Sequence, residues 1–160
     1  MFPHSHAWTR FALAGFFLLA LAIRLDDLTD LPLDYHPTRQ LWSALIARGM
    51  YYQAVSGHSL STTESPNVPL WKQQMAILQW KSKAVLEPRL METLAAASYL
   101  VATNDTLWIP RLYSALFWLL GGIPLFLLAK ELSNVYGGLT ATALYLFLPY
   151  AVIASRSFQP

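Results

Sequence analysis

From Ile109 to Ala129 the chain carries a run of about twenty mostly apolar residues, the length that crosses the hydrocarbon core of a bilayer. Lys130 and Glu131 close it. Pro124, following Gly121-Gly122, is expected to kink this helix. A second run, Leu139 to Ala154, has Pro149 near its end and Ser155-Arg156 at its exit. A third, Phe11 to Ile23, is short for a span but is bracketed by Arg10 and Arg24. Arginine stems and Trp8 extend such a run, because long cationic side chains reach back to the interface. A cleaved signal peptide is the rival reading. Arg24, Asp26 and Asp27 follow the run without a small-x-small cleavage pattern, which favours an uncleaved anchor with its N-terminus in the cytoplasm. The expected fold is therefore an all-α membrane protein with about three spans, near residues 8–25, 109–129 and 138–154.

Composition agrees. The chain is 55% hydrophobic and 12% charged, with a mean hydropathy of +0.36, against about 25% charged residues in ordinary soluble domains. A net charge of +2 without a basic cluster gives no footprint for nucleic acid. There is no cysteine, which excludes a disulfide framework, thiolate chemistry and cysteine–histidine zinc sites. His4, His6 and His58 do not fall at metal-ligand spacing.

The connection between the first two spans, about 26–108, is long for a loop, and loops of that length are commonly functional. Its first ordered piece is Leu33 to Tyr52. Asp34 and Tyr35 stand just before a helix opened by Pro37, the first helical position that proline favours. The helix is expected to end near Gly49. Helical spacing puts Leu41, Trp42, Leu45 and Ile46 on one side and Arg39, Gln40, Ser43 and Ala47 on the other. Such a helix suits a membrane surface or a buried groove. A Ser/Thr/Pro-rich loop separates it from a second aromatic-bearing stretch, Trp71 to Leu86, in which Trp71, Met75 and Leu78 are helically spaced and Lys72, Lys81 and Lys83 supply charge, a combination of Trp and Lys that favours the headgroup layer. Leu90 to Thr103 is apolar but short and carries Glu92, so it is read as an interfacial helix that does not cross. The loop and the SRSFQP end then lie on one side, the non-cytoplasmic one. The seven Lys/Arg from Arg24 to Arg89 do not oppose this, since a loop longer than about 60 residues escapes the positive-inside rule.

The order of these pieces resembles the polyprenyl-phosphate-sugar-dependent integral membrane glycosyltransferases of the C-type fold, such as protein O-mannosyltransferases and aminoarabinose transferases. The resemblance is carried by LDYHPTRQLWSALIARGMYY, by EPRLMETLAAASYLVATNDTLWIPRLYSALFWLLGGIPLFLLAKEL and by YGGLTATALYLFLPYAVIASRSFQP. Asp34 matches the acid at the head of the first juxtamembrane helix, Arg111-Leu112 the pair opening the second span, and Ser155-Arg156 the exit before a second acid. There are departures. Pro88-Arg89-Leu90 replaces a Pro-Pro-Leu element, Tyr-His-Pro follows the acid, and the sequence stops at Pro160 where the second acid would come next. The resemblance therefore implies the N-terminal part of a longer enzyme, in a bacterial inner membrane.

The implied reaction is inverting transfer of a sugar from a polyprenyl-phosphate donor to a hydroxyl of a protein, lipid or glycan. An acceptor hydroxyl must shed its proton as it attacks, and Asp34 is the candidate base. The leaving phosphate gathers charge that fixed cations stabilise. Arginine binds two phosphate oxygens at once, making Arg89, Arg39 and Arg156 the candidates. His36, Tyr35 and Glu87 are offered as sugar or acceptor contacts. An Asp34–Glu87 pair is of the kind that holds a divalent ion, yet arginine alone serves a monophosphate leaving group, so no obligatory metal or other cofactor is expected. The ordinary readings stand beside these: Asp34 as a turn or cap residue, the arginines as interfacial anchors, and Trp42, Tyr51, Tyr52 and Trp71 as an aromatic belt. Competing functions are a transporter or lipid flippase, signalled by broken helices and intramembrane charge, and a non-catalytic membrane subunit.

Overall fold

The computed structural model describes residues 5–26, 28–30, 36–58, 68–82 and 88–158. The described residues form seven α-helices and no strand. These are α1 (Ser5–Leu25), α2 (Pro37–His58), α3 (Leu70–Lys81), α4 (Leu90–Ala102), α5 (Trp108–Leu132), α6 (Val135–Phe147) and α7 (Pro149–Ser155). They group into two compact units: α1, α6, α7 and α5 from Arg111 onward in one, and α2, α3 and α4 in the other.

In the first unit α1 and α5 are each long and apolar enough to cross a membrane, and the α6–α7 pair is a third candidate if its two helices, bent by 59°, count as one span. The bend between α6 and α7 falls at Pro149, and α5 runs as one helix through Pro124. Gly121 and Gly122 serve close packing. A Cβ at Gly122 would meet the Phe17 ring at 3.1 Å, and one at Gly121 would lie 2.7 Å from the Tyr145 hydroxyl. Around this approach Ala20, Leu119 and Leu146 form a buried core, with Phe16, Phe17, Leu21, Tyr145 and Phe147 against it.

The bend removes carbonyls from the helical ladder. Tyr145 would normally bond the N–H four residues on, but that residue is Pro149, which has none. The Trp118 indole N–H donates to the Tyr145 carbonyl instead, at 3.4 Å, while the Tyr145 hydroxyl donates to the Trp118 carbonyl at 3.0 Å. The two rings stack with centroids 5.1 Å apart. The Leu146 carbonyl accepts from Arg24 Nη2 at 3.0 Å. Arg24 also donates from Nε to Ser155 Oγ (2.8 Å) and from Nη1 to the Ala20 carbonyl (3.1 Å). Its exposure is 0%. The expectation that Arg24 reaches outward to an interface is therefore corrected: its guanidinium turns inward, where it supplies a donor to the Leu146 carbonyl at the bend.

Arg111, also buried, joins three chain ends. Its Nη1 donates to the carbonyls of Leu28 (2.9 Å) and Asp30 (2.6 Å), just past α1, and its Nε donates to the Arg156 carbonyl (3.0 Å), just past α7. Arg156 Nη1 in turn donates to the Asp26 carbonyl at 3.0 Å. The end of α1, the first turns of α5 and the end of α7 thus meet at one end of this unit.

The second unit is built from inward-facing small and polar residues. Gln40, Ser43, Ala44, Ile46, Ala47, Tyr51 and Tyr52 of α2 are buried, as are Gln73 and Ala76 of α3 and Glu92, Ala95, Ala96 and Tyr99 of α4. Leu41 and Trp42 are exposed. The side of α2 read from the sequence as polar is for the most part the packed side, because small side chains let helices approach while the larger apolar ones face out. Gly49 belongs to the same design. It does not stop α2, which continues to His58. A Cβ at Gly49 would lie 2.5 Å from Trp80 Cβ and 2.8 Å from the Ala76 carbonyl oxygen, so α3 crosses α2 where no side chain fits. The Gln40 side chain accepts from the Phe158 N–H at 3.2 Å, which ties the chain after α7 to this unit.

Candidate functional site

The candidate site is built on α2. Immediately before it, His36 adopts φ 42°, the left-handed region. Its carbonyl accepts from the N–H groups of Arg39 (3.0 Å) and Gln40 (3.2 Å), closing the first turn. His36 thus acts through its backbone as a cap, and its side chain is exposed. Arg39, on that first turn, is exposed as well. From Pro37 a groove of about 480 Å³ follows one side of α2, lined by Pro37, Thr38, Leu41, Trp42, Ala44, Leu45 and Arg48. Its middle is apolar.

At the far end Arg48 is held by Asp105. Arg48 Nε lies 3.0 Å from Asp105 Oδ2, and Nη2 donates to the Asp105 carbonyl at 3.1 Å. The Tyr52 hydroxyl donates to the same carboxylate oxygen at 2.7 Å. Asp105 reaches this position because α4 ends at Thr103, whose φ of 51° turns the chain, with the Asn104 N–H bonded back to the Tyr99 carbonyl. Tyr51 packs edge-on against Tyr99, ring centroids 6.0 Å apart. Burial, and then the bond to Asp105, push the Tyr52 hydroxyl well above its ordinary ionisation range. Burial does the same to Tyr99, with Arg48 opposing it in part. Among the described residues of this unit, four buried polar side-chain atoms have no hydrogen-bond partner: Trp80 Nε1, Glu92 Oε2, Tyr99 Oη and Thr106 Oγ1.

The other sequence-derived candidates are dispersed. Arg89 is half-buried at the head of α4, and its carbonyl accepts from both the N–H (3.0 Å) and the hydroxyl (2.6 Å) of Thr93. Arg156 belongs to the other unit, in the clasp with Asp26 and Arg111. Asp34, Tyr35 and Glu87 lie outside the described residues, and with them the Asp34–Glu87 pair suited to a divalent ion. Among the described residues no three His, Cys, Asp or Glu side chains gather as a metal site. Sequence reasoning missed the Arg48–Tyr52–Asp105 cluster. Its one signal was Asn104-Asp105 set between two apolar stretches, and nothing local tied that pair to α2.

A groove that is apolar along Leu41, Trp42 and Leu45 and ends at the Asp105-paired Arg48 suits a hydrocarbon chain. No protein-family model, no curated protein and no solved structure matches this chain.

Proposed function

We propose that this chain serves as a membrane glycosyltransferase that moves a sugar from a polyprenyl-phosphate donor to an acceptor hydroxyl on the non-cytoplasmic side. The observation that carries the reading is the α2 groove, which begins at Pro37, three positions after Asp34, and is apolar where a prenyl chain would lie. Asp34 takes the proton of the acceptor hydroxyl. Arg39 and Arg89, each at the head of a helix of the same unit, neutralise the departing phosphate. His36, Tyr35 and Glu87 contact sugar or acceptor. Three spans with α4 on the membrane surface bring the segment after α1 and the end of α7 to one side, in keeping with the clasp of Arg111 and Arg156.

The test is transfer itself. The complete protein in lipid vesicles is given polyprenyl-phosphate mannose or aminoarabinose, labelled in the sugar, with hydroxyl-bearing acceptors. Label appearing on the acceptor with inverted anomeric configuration, and polyprenyl phosphate released in equal amount, are expected. Donor consumption no faster than in protein-free vesicles overturns the proposal.

A transporter or flippase is the second reading, favoured by the 59° break between α6 and α7 and by a buried arginine in a membrane-length helix. These two features are, however, each other's partners through the Arg24–Leu146 bond, which accounts for both without a translocated solute.

A further inference from the structure

We infer that α3 is a docking surface for anionic bilayer lipid: it lies along the interface with Trp71, Met75 and Leu78 in the acyl region and Lys72 and Lys81 at the phosphates. The inference is independent of the proposed sugar transfer. At 3.6 residues per turn, Trp71, Met75 and Leu78 fall within about 60° of one another around the helix, and Gln73, Ala76 and Trp80 fall on the opposite side. The structure uses the two sides differently. Gln73 and Ala76 are buried, and the Trp80 side of the helix packs at Gly49. Trp71 is 63% exposed and Leu78 62%, with Met75 exposed between them. Three large apolar side chains in one outward stripe are costly to leave in water.

The flanks identify what covers the stripe. Lys72 and Gln79 fall about a quarter turn to one side of it, Lys81 and Gln74 to the other. All four are exposed. The Lys72 ammonium sits 5.5 Å from the Trp71 ring centroid. An apolar stripe edged on both sides by lysine with an interfacial tryptophan is the arrangement of a helix lying in a headgroup layer. No Asp or Glu occurs in Leu70–Lys81. In the rest of this unit Glu92 is buried and Asp105 is paired with Arg48, so among the described residues the surface charge is cationic. Negative headgroups complement it. The unit is connected in sequence on both sides to helices long enough to span a membrane, so a bilayer is within reach of α3.

Because the chain has no cysteine, Met75→Cys provides a single attachment point for an environment-sensitive dye. The labelled full chain is reconstituted into phosphatidylcholine vesicles with and without phosphatidylglycerol. The dye should be quenched by lipids brominated or spin-labelled near the top of the acyl chain, and shielded from aqueous iodide, more so with phosphatidylglycerol. Neutralising both lysines (Lys72→Gln with Lys81→Gln) should abolish that lipid dependence, since each lysine near an anionic surface favours the bound state about fivefold. Leu78→Cys repeats the measurement one turn on, and Gln79→Cys should remain open to iodide. Iodide access at position 75 equal to that at position 79 overturns the proposal. So does shielding that is the same in both lipids, or shielding that grows with protein concentration and persists in detergent, which would assign the stripe to a second copy of the chain.

Discussion

Arg24 and Leu146 are joined by a 3.0 Å hydrogen bond from guanidinium to carbonyl, 122 positions apart in sequence. The bond sits where the α6–α7 bend opens the backbone. A buried acceptor left without a donor costs about 1–3 kcal/mol, and Arg24 serves two carbonyls and one hydroxyl. Part of that gain is offset by the cost of burying a cation. Arg24→Met should therefore lower stability by about 2–4 kcal/mol, with Arg24→Lys between it and the parent. Thermal unfolding in detergent measures this. An unchanged midpoint in Arg24→Met would mean that the bend is held by something else.

Gly49→Ala inserts a methyl group against Trp80 Cβ and the Ala76 backbone. Neither is the end of a flexible side chain, so α3 must shift, and overpacking of this kind costs about 1–3 kcal/mol. Gly15→Ala is the matched control: nothing lies within 4 Å of its added Cβ, and alanine favours an exposed helix by up to about 1 kcal/mol. The two midpoints should move in opposite directions.

Alkaline unfolding reports on the tyrosine cluster. Tyr52 and Tyr99 hold their protons in the fold above the ordinary value of 10.0. The folded state thus binds these protons more tightly than the unfolded chain does. Their contribution is present in full below pH 10 and is lost as pH rises through the folded values. Stability should stay level with respect to these groups up to about pH 9 and fall above 10. Tyr99→Phe should make that fall shallower.

The short α4 makes a topological prediction. Thirteen residues with Glu92 only 3% exposed are too few to cross. Asn104→Cys should react with an impermeant maleimide added to the non-cytoplasmic side. Reaction only from the cytoplasmic side would make α4 a span and reverse the parity of the chain.

How far the sequence could be read depended on the range of the interactions. The membrane-length helices were legible because apolar length is a local property; α1, α5 and α6–α7 fall close to the runs that announce them. The orientation of α2 was not. Periodicity separates large apolar from small or polar residues, but does not say that Gln40, Ser43 and Ala47 pack while Leu41 and Trp42 face out. That choice is made by Gly49 and Trp80, which meet across separate helices. Arg24 reads as an end-of-span anchor until Leu146 and Ser155 are placed beside it. Pro37 as a helix start was legible, since proline at a first turn is a local signal. Arg39 and Arg89 were correctly placed at helix heads, but nothing in their neighbourhood foretold the Arg48–Asp105 pair at the end of the groove.

The most direct test of the proposed activity is the turnover of Asp34→Asn in the complete protein, with polyprenyl-phosphate sugar and acceptor supplied in lipid vesicles. Asparagine keeps the size and capping ability of aspartate but loses the basic carboxylate. Donor binding and membrane insertion should match the parent, and turnover should fall by at least about 10²-fold, the contribution of a positioned general base. Turnover at the parental rate would contradict the account and leave Asp34 as a residue that only precedes a helix.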